Sequence, residues 1–94
     1  MAAYIFDGQC LKSRFGNLIG KIDGNTVKDA NYNKVGEIEG NIIKDARYNK
    51  IAEVDNGEIK DAHYKKIWTT EGVRQIIDGP EELSSAALWV LLLR

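Results

Sequence analysis

The chain has 94 residues, 44% apolar and 29% charged, so it is long enough for one small globular domain and too apolar to be disordered. Thirteen Lys and Arg against fourteen Asp and Glu leave a formal charge of −1, which argues against a general basic field for nucleic acid. One cysteine, Cys10, and one histidine, His63, exclude an internal disulfide, a Cys/His zinc site and most catalytic templates. We therefore expect a single domain over residues 1–94, with no cofactor.

The N-terminus carries no signal-peptide pattern. Asp7 and Gly8 interrupt the chain before an apolar segment of sufficient length is reached, and no Lys or Arg precedes them. The longest apolar run, 86–93, has eight residues, fewer than half of those needed to cross a bilayer. An unpaired cysteine is normal in a reducing compartment. These features predict a cytoplasmic protein with no membrane partner.

A sixteen-residue repeat fills most of the chain. Three Lys-Asp-Ala-x-Tyr segments, at 28–32, 44–48 and 60–64, set its register, and four copies plus a degenerate fifth fit it. Its apolar column is Phe6, Ile22, Ile38, Val54 and Thr70, its acidic column Asp7, Asp23, Glu39, Asp55 and Glu71, and its glycine column Gly8, Gly24, Gly40, Asn56 and Gly72. Part of the content of nine glycines is therefore periodic.

Sixteen residues accommodate two short strands and two tight turns. Three turns place glycine first, as type II′ requires, and Asn56-Gly57 has the type I′ pattern. The register then pairs large apolar residues across each hairpin, namely Phe6 with Leu11, Ile22 with Val27, Ile38 with Ile43, and Val54 with Ile59. We predict a mainly β fold, α+β by count, with four hairpins over residues 4–77. The pattern allows either closure around an axis or an open sheet.

On the opposite face, the register pairs Glu37 with Lys44 and Glu53 with Lys60. The return loops can contain two or four residues, and a simple closure there places Lys44 opposite Glu53 as well. A further apolar column, Val35, Ile51 and Ile67, lies on the opposite parity. Either a β-bulge turns these residues inward, as the nearby small residues Gly20, Gly36 and Ala52 permit, or the base of each hairpin packs on both faces.

The segment Asp78-Gly79-Pro80-Glu81-Glu82 is typical of a helix start, with a capping residue, proline and acids in the first turn. It predicts a helix over 79–93. Because this helix is apolar nearly all round, it must be buried nearly all round. Four small hairpins cover one side, so we expect the other side to contact a second subunit, through Leu88, Trp89, Leu91 and Leu92.

Two sets of residues recur at the return loops and are candidates for ligand binding. They are Asp29, Asp45 and Asp61, and Tyr32, Tyr48 and Tyr64. Three carboxylates near an axis can hold a cation, but an aspartate at a loop start also forms an Asx turn, which we favour, so no metal is expected. The tyrosines, with Phe15 loosely in place of a fourth, either line a stacking surface for a flat ligand or cover the hairpin ends, which we favour.

The units Gly20–Tyr32 and Gly36–Tyr48, Gly-x-Ile-Asp/Glu-Gly-Asn followed by Val/Ile-Lys-Asp-Ala-x-Tyr, resemble the four-fold β-flower domain known among bacterial integron gene-cassette proteins. The resemblance covers roughly residues 4–71. It implies four hairpin petals around a pseudo-fourfold axis and frequent homo-oligomerisation, and it carries no catalytic residues. The first copy departs from the pattern, because Ser13-Arg14-Phe15 stands where Asp-Ala-x-Tyr is expected.

We therefore expect a non-enzymatic, homo-oligomeric interaction module that binds itself or another protein, with no nucleic-acid partner. The alternative is a small-molecule-binding protein with a pocket at the hairpin ends or the subunit interface. An enzyme is the third and weakest hypothesis, because no nucleophile can be paired with a base.

Overall fold

The structure is a computed structural model that describes residues 2–79 and 82–94. Its helices are α1 (Thr70–Ile76) and α2 (Glu82–Leu88), and α2 continues into a π-helical segment, Trp89–Leu93. None of these helices is long and apolar enough to cross a membrane. The strands are β1 (Tyr4–Phe6), β2 (Cys10–Ser13), β3 (Leu18–Asp23), β4 (Thr26–Asp29), β5 (Lys34–Glu39), β6 (Ile42–Asp45), β7 (Lys50–Asp55), β8 (Glu58–Asp61), β9 (Lys66–Thr69) and β10 (Ile77–Asp78).

All ten strands form one sheet, in the order β10-β1-β2-β3-β4-β5-β6-β7-β8-β9. Consecutive strands from β1 to β9 pair antiparallel, whereas β10 pairs parallel with β1. The seven residues of α1 join β9 to β10, which stand at opposite ends of the strand order. A helix of that length spans only about 10 Å. The sheet therefore curls until its two ends face each other across α1, rather than lying open.

The predicted hairpin register is confirmed. Phe6 lies opposite Leu11, and the three other predicted apolar pairs face each other in the same way. Gly24 and Gly40 have φ of 63° and 60° with no positive φ at the following residue, as in type II′ turns. Asn56 and Gly57 both have positive φ, as in type I′. The residues of the turns therefore determine which side chains face the core.

A β-bulge follows each hairpin, which confirms the first of the two alternatives for the second apolar column. Val27 lies opposite Gly36 and Lys28 opposite Lys34, so Val35 is an extra residue. The same register shift occurs between β2 and β3, β6 and β7, and β8 and β9. Side chains of this column are half-buried and pack against the core. The bulge thus lets residues of opposite parity share one hydrophobic cluster.

The bulge also overturns one predicted charge contact. Lys44 lies opposite Lys50 rather than Glu53. Glu37 does lie opposite Lys44, and Glu53 opposite Lys60, as predicted. The Lys44 ammonium binds Glu39, and Glu53 binds Lys50, so the predicted contact of Lys44 with Glu53 is wrong. Glu37 instead pairs with Lys34, at 3.1 Å. These surface pairs contribute little to stability, about 0–1 kcal/mol each at most.

The fifth repeat does not form a hairpin. After β9 the chain enters α1, capped by the Thr69 hydroxyl, which accepts a hydrogen bond from the Gly72 N–H at 3.0 Å. Val73 on α1 and Ile77 on β10 are both almost completely buried. The segment therefore buries apolar side chains as the other repeats do, but from a helix and a short parallel strand.

The C-terminal helix fills the concave side of this sheet. Leu88 is 0% exposed, and Ala86 and Ala87 are equally buried. Trp89 packs on Trp68, with ring centroids 4.7 Å apart. Its own chain therefore covers much of this helix, and the contact of its remaining surface with a second subunit stays a prediction. The predicted cap Asp78 lies in β10, paired with Ile5, so α2 starts later than predicted; Pro80 and Glu81 lie outside the described residues.

Three small residues explain how the helix can lie so close to the strands. Gly20, Gly36 and Ala52 occupy one column of the repeat and are all buried. A Cβ atom at Gly20 would lie 2.5 Å from Leu92 Cδ1, and one at Gly36 would lie 2.7 Å from Leu91 Cδ1. The absent side chains therefore leave the space in which the two leucines sit.

Candidate interaction surface at the return loops

Antiparallel hairpins place all tight turns at one end of the sheet and all return loops at the other. We call the second end the return-loop end. It contains four loops, 14–17, 30–33, 46–49 and 62–65. Neighbouring loops are two strands apart, or about 10 Å. Repeated residues of these loops therefore form a row along one edge of the molecule.

The aspartates build the loops. Asp45 Oδ1 accepts hydrogen bonds from the N–H groups of Arg47, at 2.8 Å, and Asn49, at 3.0 Å. Asp29 and Asp61 bind the equivalent N–H groups in their own loops. These contacts match the predicted Asx turn. No group of three His, Cys, Asp or Glu side chains suited to a metal ion occurs in residues 2–79 and 82–94.

The same hydrogen bonds stabilise the charged form of the carboxylates. The N–H of Asn49 lowers the pKa of Asp45, and the N–H of Lys65 lowers the pKa of Asp61. In the first loop, the Ser13 hydroxyl accepts from the N–H groups of Phe15 and Asn17, both at 3.2 Å. Serine therefore replaces aspartate without changing the loop, and the departure seen in the first repeat is chemical rather than structural.

The tyrosines adopt a backbone conformation that is unusual for their residue type. Tyr32, Tyr48 and Tyr64 have φ of 65°, 69° and 64°. This left-handed region costs a residue with a side chain about 1–2 kcal/mol. The equivalent position in the first loop is Gly16, with φ of 90°. The first loop thus has the residue that this backbone favours, and the other three have tyrosine in its place.

The aromatic rings extend into solvent. Tyr32 and Tyr48 are 60% exposed, Tyr64 is 66% exposed, and Phe15 is 78% exposed. Of the two predicted roles, covering the hairpin ends is not supported, because the rings bury little surface. Four exposed aromatic side chains stand in a row on a curved edge, and three of them do so at a cost in backbone strain.

Cationic side chains accompany the rings. Lys34 Nζ lies 4.8 Å from the centre of the Tyr48 ring, and Lys50 Nζ lies 4.3 Å from that of Tyr64. Arg14 lies similarly over Phe15 and Lys21 over Tyr32. Lys34 and Lys50 each follow the preceding return loop in the chain, so each of these two contacts links two neighbouring loops. These cation–π contacts hold the exposed rings in a defined orientation.

The remaining candidates lie elsewhere. His63 is exposed in the fourth loop, and Cys10 is half-buried in β2. A polar depression of about 700 Å³ lies near the β7–β8 turn and α1, among Thr70, Arg74, Glu58 and neighbouring residues. It contains none of the predicted aspartates or tyrosines. Of the predicted interface residues, Leu88 is buried in the core of its own chain, and Trp89, Leu91 and Leu92 are half-buried against that core.

The lysines beside the rings and the left-handed tyrosines were not found from the sequence. A signal for the tyrosine conformation is present, because aligning the repeats places Gly16 in the column of Tyr32, Tyr48 and Tyr64. Glycine in such a column indicates a positive φ. Exposed Tyr side chains in a row are typical of surfaces that bind other macromolecules, since Tyr is enriched at interfaces.

The curled sheet of repeated hairpins, with its loops at one edge, defines a β-flower protein. The comparison with known families agrees. A family model described as the 5-fold beta-flower protein matches residues 1–77, so the chain belongs to this family. The match establishes a β-flower and does not bear on the four-fold count or the gene-cassette context. No curated protein and no solved structure matches the chain.

Proposed function

We propose that the protein is a non-enzymatic, homo-oligomeric interaction module whose recognition surface is the return-loop end. The proposal includes a cytoplasmic location and the gene-cassette setting that the sequence resemblance suggests. It also includes a count of the units: four hairpins form four petals, and β9 with α1 takes the fifth position. The helix is not the recognition surface in this proposal, because it is covered by its own chain.

One observation carries the proposal. Three tyrosines occupy positions where the fold itself favours glycine, and Gly16 shows that glycine serves in the same loop. Each tyrosine costs backbone strain and gains little burial, with at least 60% of its surface exposed. Such residues do not serve folding, so a binding role accounts for their repetition.

The experiment is a mass measurement by light scattering over a wide range of protein concentration. We expect the wild type to exceed the monomer mass of 10.5 kDa. A variant with Tyr32→Gly, Tyr48→Gly and Tyr64→Gly should fall to the monomer mass while its circular dichroism spectrum and unfolding transition are retained. Glycine suits this backbone, which makes it the substitution that spares the fold.

The matched control is Ile5→Ser. Ile5 is 49% exposed on β1, so this variant also removes exposed apolar surface but leaves the four loops intact. It should keep the mass of the wild type. A wild type that is monomeric at every concentration would contradict the homo-oligomer, and an oligomer that survives the tyrosine substitutions would contradict the assignment of the surface.

A further inference from the structure

The net charge of −1 hides a separation of charge along the strands. The residues around the return loops, 12–19, 28–35, 44–51 and 60–67, contain ten Lys and Arg and three Asp. The residues around the tight turns, 4–11, 20–27, 36–43, 52–59 and 68–75, contain eight Asp and Glu and two basic residues. One end of the flower is therefore basic and aromatic, and the other end is acidic.

Internal ion pairs reduce this separation without cancelling it. Lys28 binds Asp23, and Lys60 binds Asp55, with the acid on the tight-turn side in both pairs. Lys44 with Glu39 has the same orientation. The pairs thus act as parallel dipoles. A six-residue strand is about 20 Å long, and charges are screened beyond about 8–10 Å at physiological salt. A partner that binds at one end therefore interacts with the charges of that end and not with the net charge of the molecule.

The two ends also have the same spacing. Each hairpin contributes one tight turn to the acidic end and borders one return loop at the basic end. The separation between successive acidic tips and between successive loops is therefore set by the same pairs of strands, about 10 Å apart. A second copy of this chain is the partner that presents carboxylates at the spacing of the tyrosine row.

We propose that copies of the protein associate head to tail, with the acidic tight-turn end of one copy docked on the basic, aromatic return-loop end of the next. This inference rests on the proposed function and adds the partner surface to it. The interface is heterologous, so it leaves one free end of each kind and produces a ring or an open chain of copies. Because opposite charges meet, association weakens as salt is added.

A single-stranded nucleic acid is the competing ligand, since aromatic rings with cations bind it in other proteins. The ion pairs argue against it here. Lys34 and Lys50, which lie over the rings, already bind Glu37 and Glu53. Asp29, Asp45 and Asp61 add negative charge to the same loops. These carboxylates lower the gain for any anionic partner, so a partner that also matches the row in spacing is favoured, and the tips of a second copy have that spacing.

The test uses two variants, each defective at one end. The first is the tyrosine variant above, with three glycines at the return-loop end. The second carries Asp23→Asn, Glu39→Gln and Asp55→Asn at the acidic end. Surface ion pairs are weak, so the second variant should fold. Each variant alone should associate about tenfold or more weakly than the wild type. Mixed together they should form a heterodimer, because one keeps its acidic end and the other its loops.

The matched control is Asp29→Asn, Asp45→Asn and Asp61→Asn, which removes three carboxylates from the opposite end. Asparagine keeps the oxygen that accepts the loop hydrogen bonds. This variant should associate at least as strongly as the wild type, since its basic end becomes more positive. Equal weakening by both charge variants would contradict the proposal.

The masses of the wild type and of the acidic-end variant distinguish failure of this inference from failure of the proposed function. If the wild type associates and the acidic-end variant associates equally well, loops contact loops, and the head-to-tail arrangement is wrong while the proposed function stands. If the wild type is monomeric at low salt, both fail. Binding of a single-stranded oligonucleotide by the wild type, lost in the tyrosine variant and without self-association, would assign the surface to nucleic acid and overturn the inference.

Discussion

The position of the C-terminal helix can be tested at Gly36, where a methyl group has no room. In Gly36→Ala, the new Cβ would overlap the carbonyl oxygen of Lys44 and lie 2.7 Å from Leu91 Cδ1. Overpacking of this kind costs about 1–3 kcal/mol. For a domain of this size, each kcal/mol lowers the unfolding temperature by about 4–8 °C, so we expect a drop on the order of 10 °C by calorimetry or circular dichroism.

A double-mutant cycle measures the part of that cost that comes from the contact with Leu91. Leu91→Ala removes the side chain that the new methyl group meets, so Gly36→Ala should cost less by at least about 0.5 kcal/mol in that background. Leu92 sits on Gly20 instead. Leu92→Ala should therefore leave the cost of Gly36→Ala unchanged, which makes it the control. Additive effects in both cycles would refute the seating of the helix on the small-residue column.

Four further predictions follow from the core, the loops and the charged groups. Leu88→Ala should cost about 2–5 kcal/mol of unfolding free energy in chemical denaturation, because Leu88 is 0% exposed; a change in oligomer mass with unchanged stability would instead place it at an interface. At position 48, Tyr48→Gly should be more stable than Tyr48→Ala by about 0.5–1 kcal/mol, since glycine relieves the left-handed strain of about 1–2 kcal/mol but loses more unfolded-state entropy; equal or reversed stabilities would contradict the strain. The pKa of Asp45 lies below its ordinary value of 3.8, so its contribution to stability is present above pH 3.8 and lost as the pH falls through the folded-state pKa. Asp45→Asn should reduce this acid sensitivity in thermal melts. The pKa of Lys50 is raised above 10.5 by its hydrogen bond to Glu53, so that stabilisation is present below pH 10.5 and lost as the pH rises through the folded-state value, which Lys50→Met should show in melts at alkaline pH.

The hairpins could be predicted from the sequence because their determinants are local. Glycine at Gly24 and Gly40 selects the turn type, the turn sets the register, and the register decides which side chains face the core. Prediction of the ion pairs was less successful, because one extra residue at Val35 or Ile51 shifts the pairing between that residue and the adjoining return loop. Lys44 therefore meets Lys50 across the strands, and its carboxylate partner lies on β5.

The helices were harder to predict because their positions depend on the curvature of the sheet. Sixteen-residue periodicity says how strands pair but not how far the sheet bends, so the sequence alone does not show how much of the C-terminal helix the sheet covers. The column Gly20, Gly36 and Ala52 carried the relevant information, since it leaves a channel for side chains of the same chain. Likewise, α1 kept the columns of the fifth repeat at Glu71 and Gly72, which concealed its helical start at Thr69.

The candidate surface was only partly predictable for a related reason. The repetition of Tyr32, Tyr48 and Tyr64 is visible in the sequence, but exposure depends on where each loop residue points. The positive φ of each tyrosine sets where its ring lies, in a loop that the Asx hydrogen bonds close. The aspartates and tyrosines therefore have different roles: the first shape the loop, and the second are displayed by it.

The most direct test of the account measures stability and mass on one sample, the variant with glycine at positions 32, 48 and 64. The account predicts an unfolding free energy close to that of the wild type, or higher, together with a fall to the monomer mass of 10.5 kDa. That combination would show that the strained tyrosines serve association and not folding. A variant that loses its folded structure, or one that keeps the wild-type mass, would contradict the central claim.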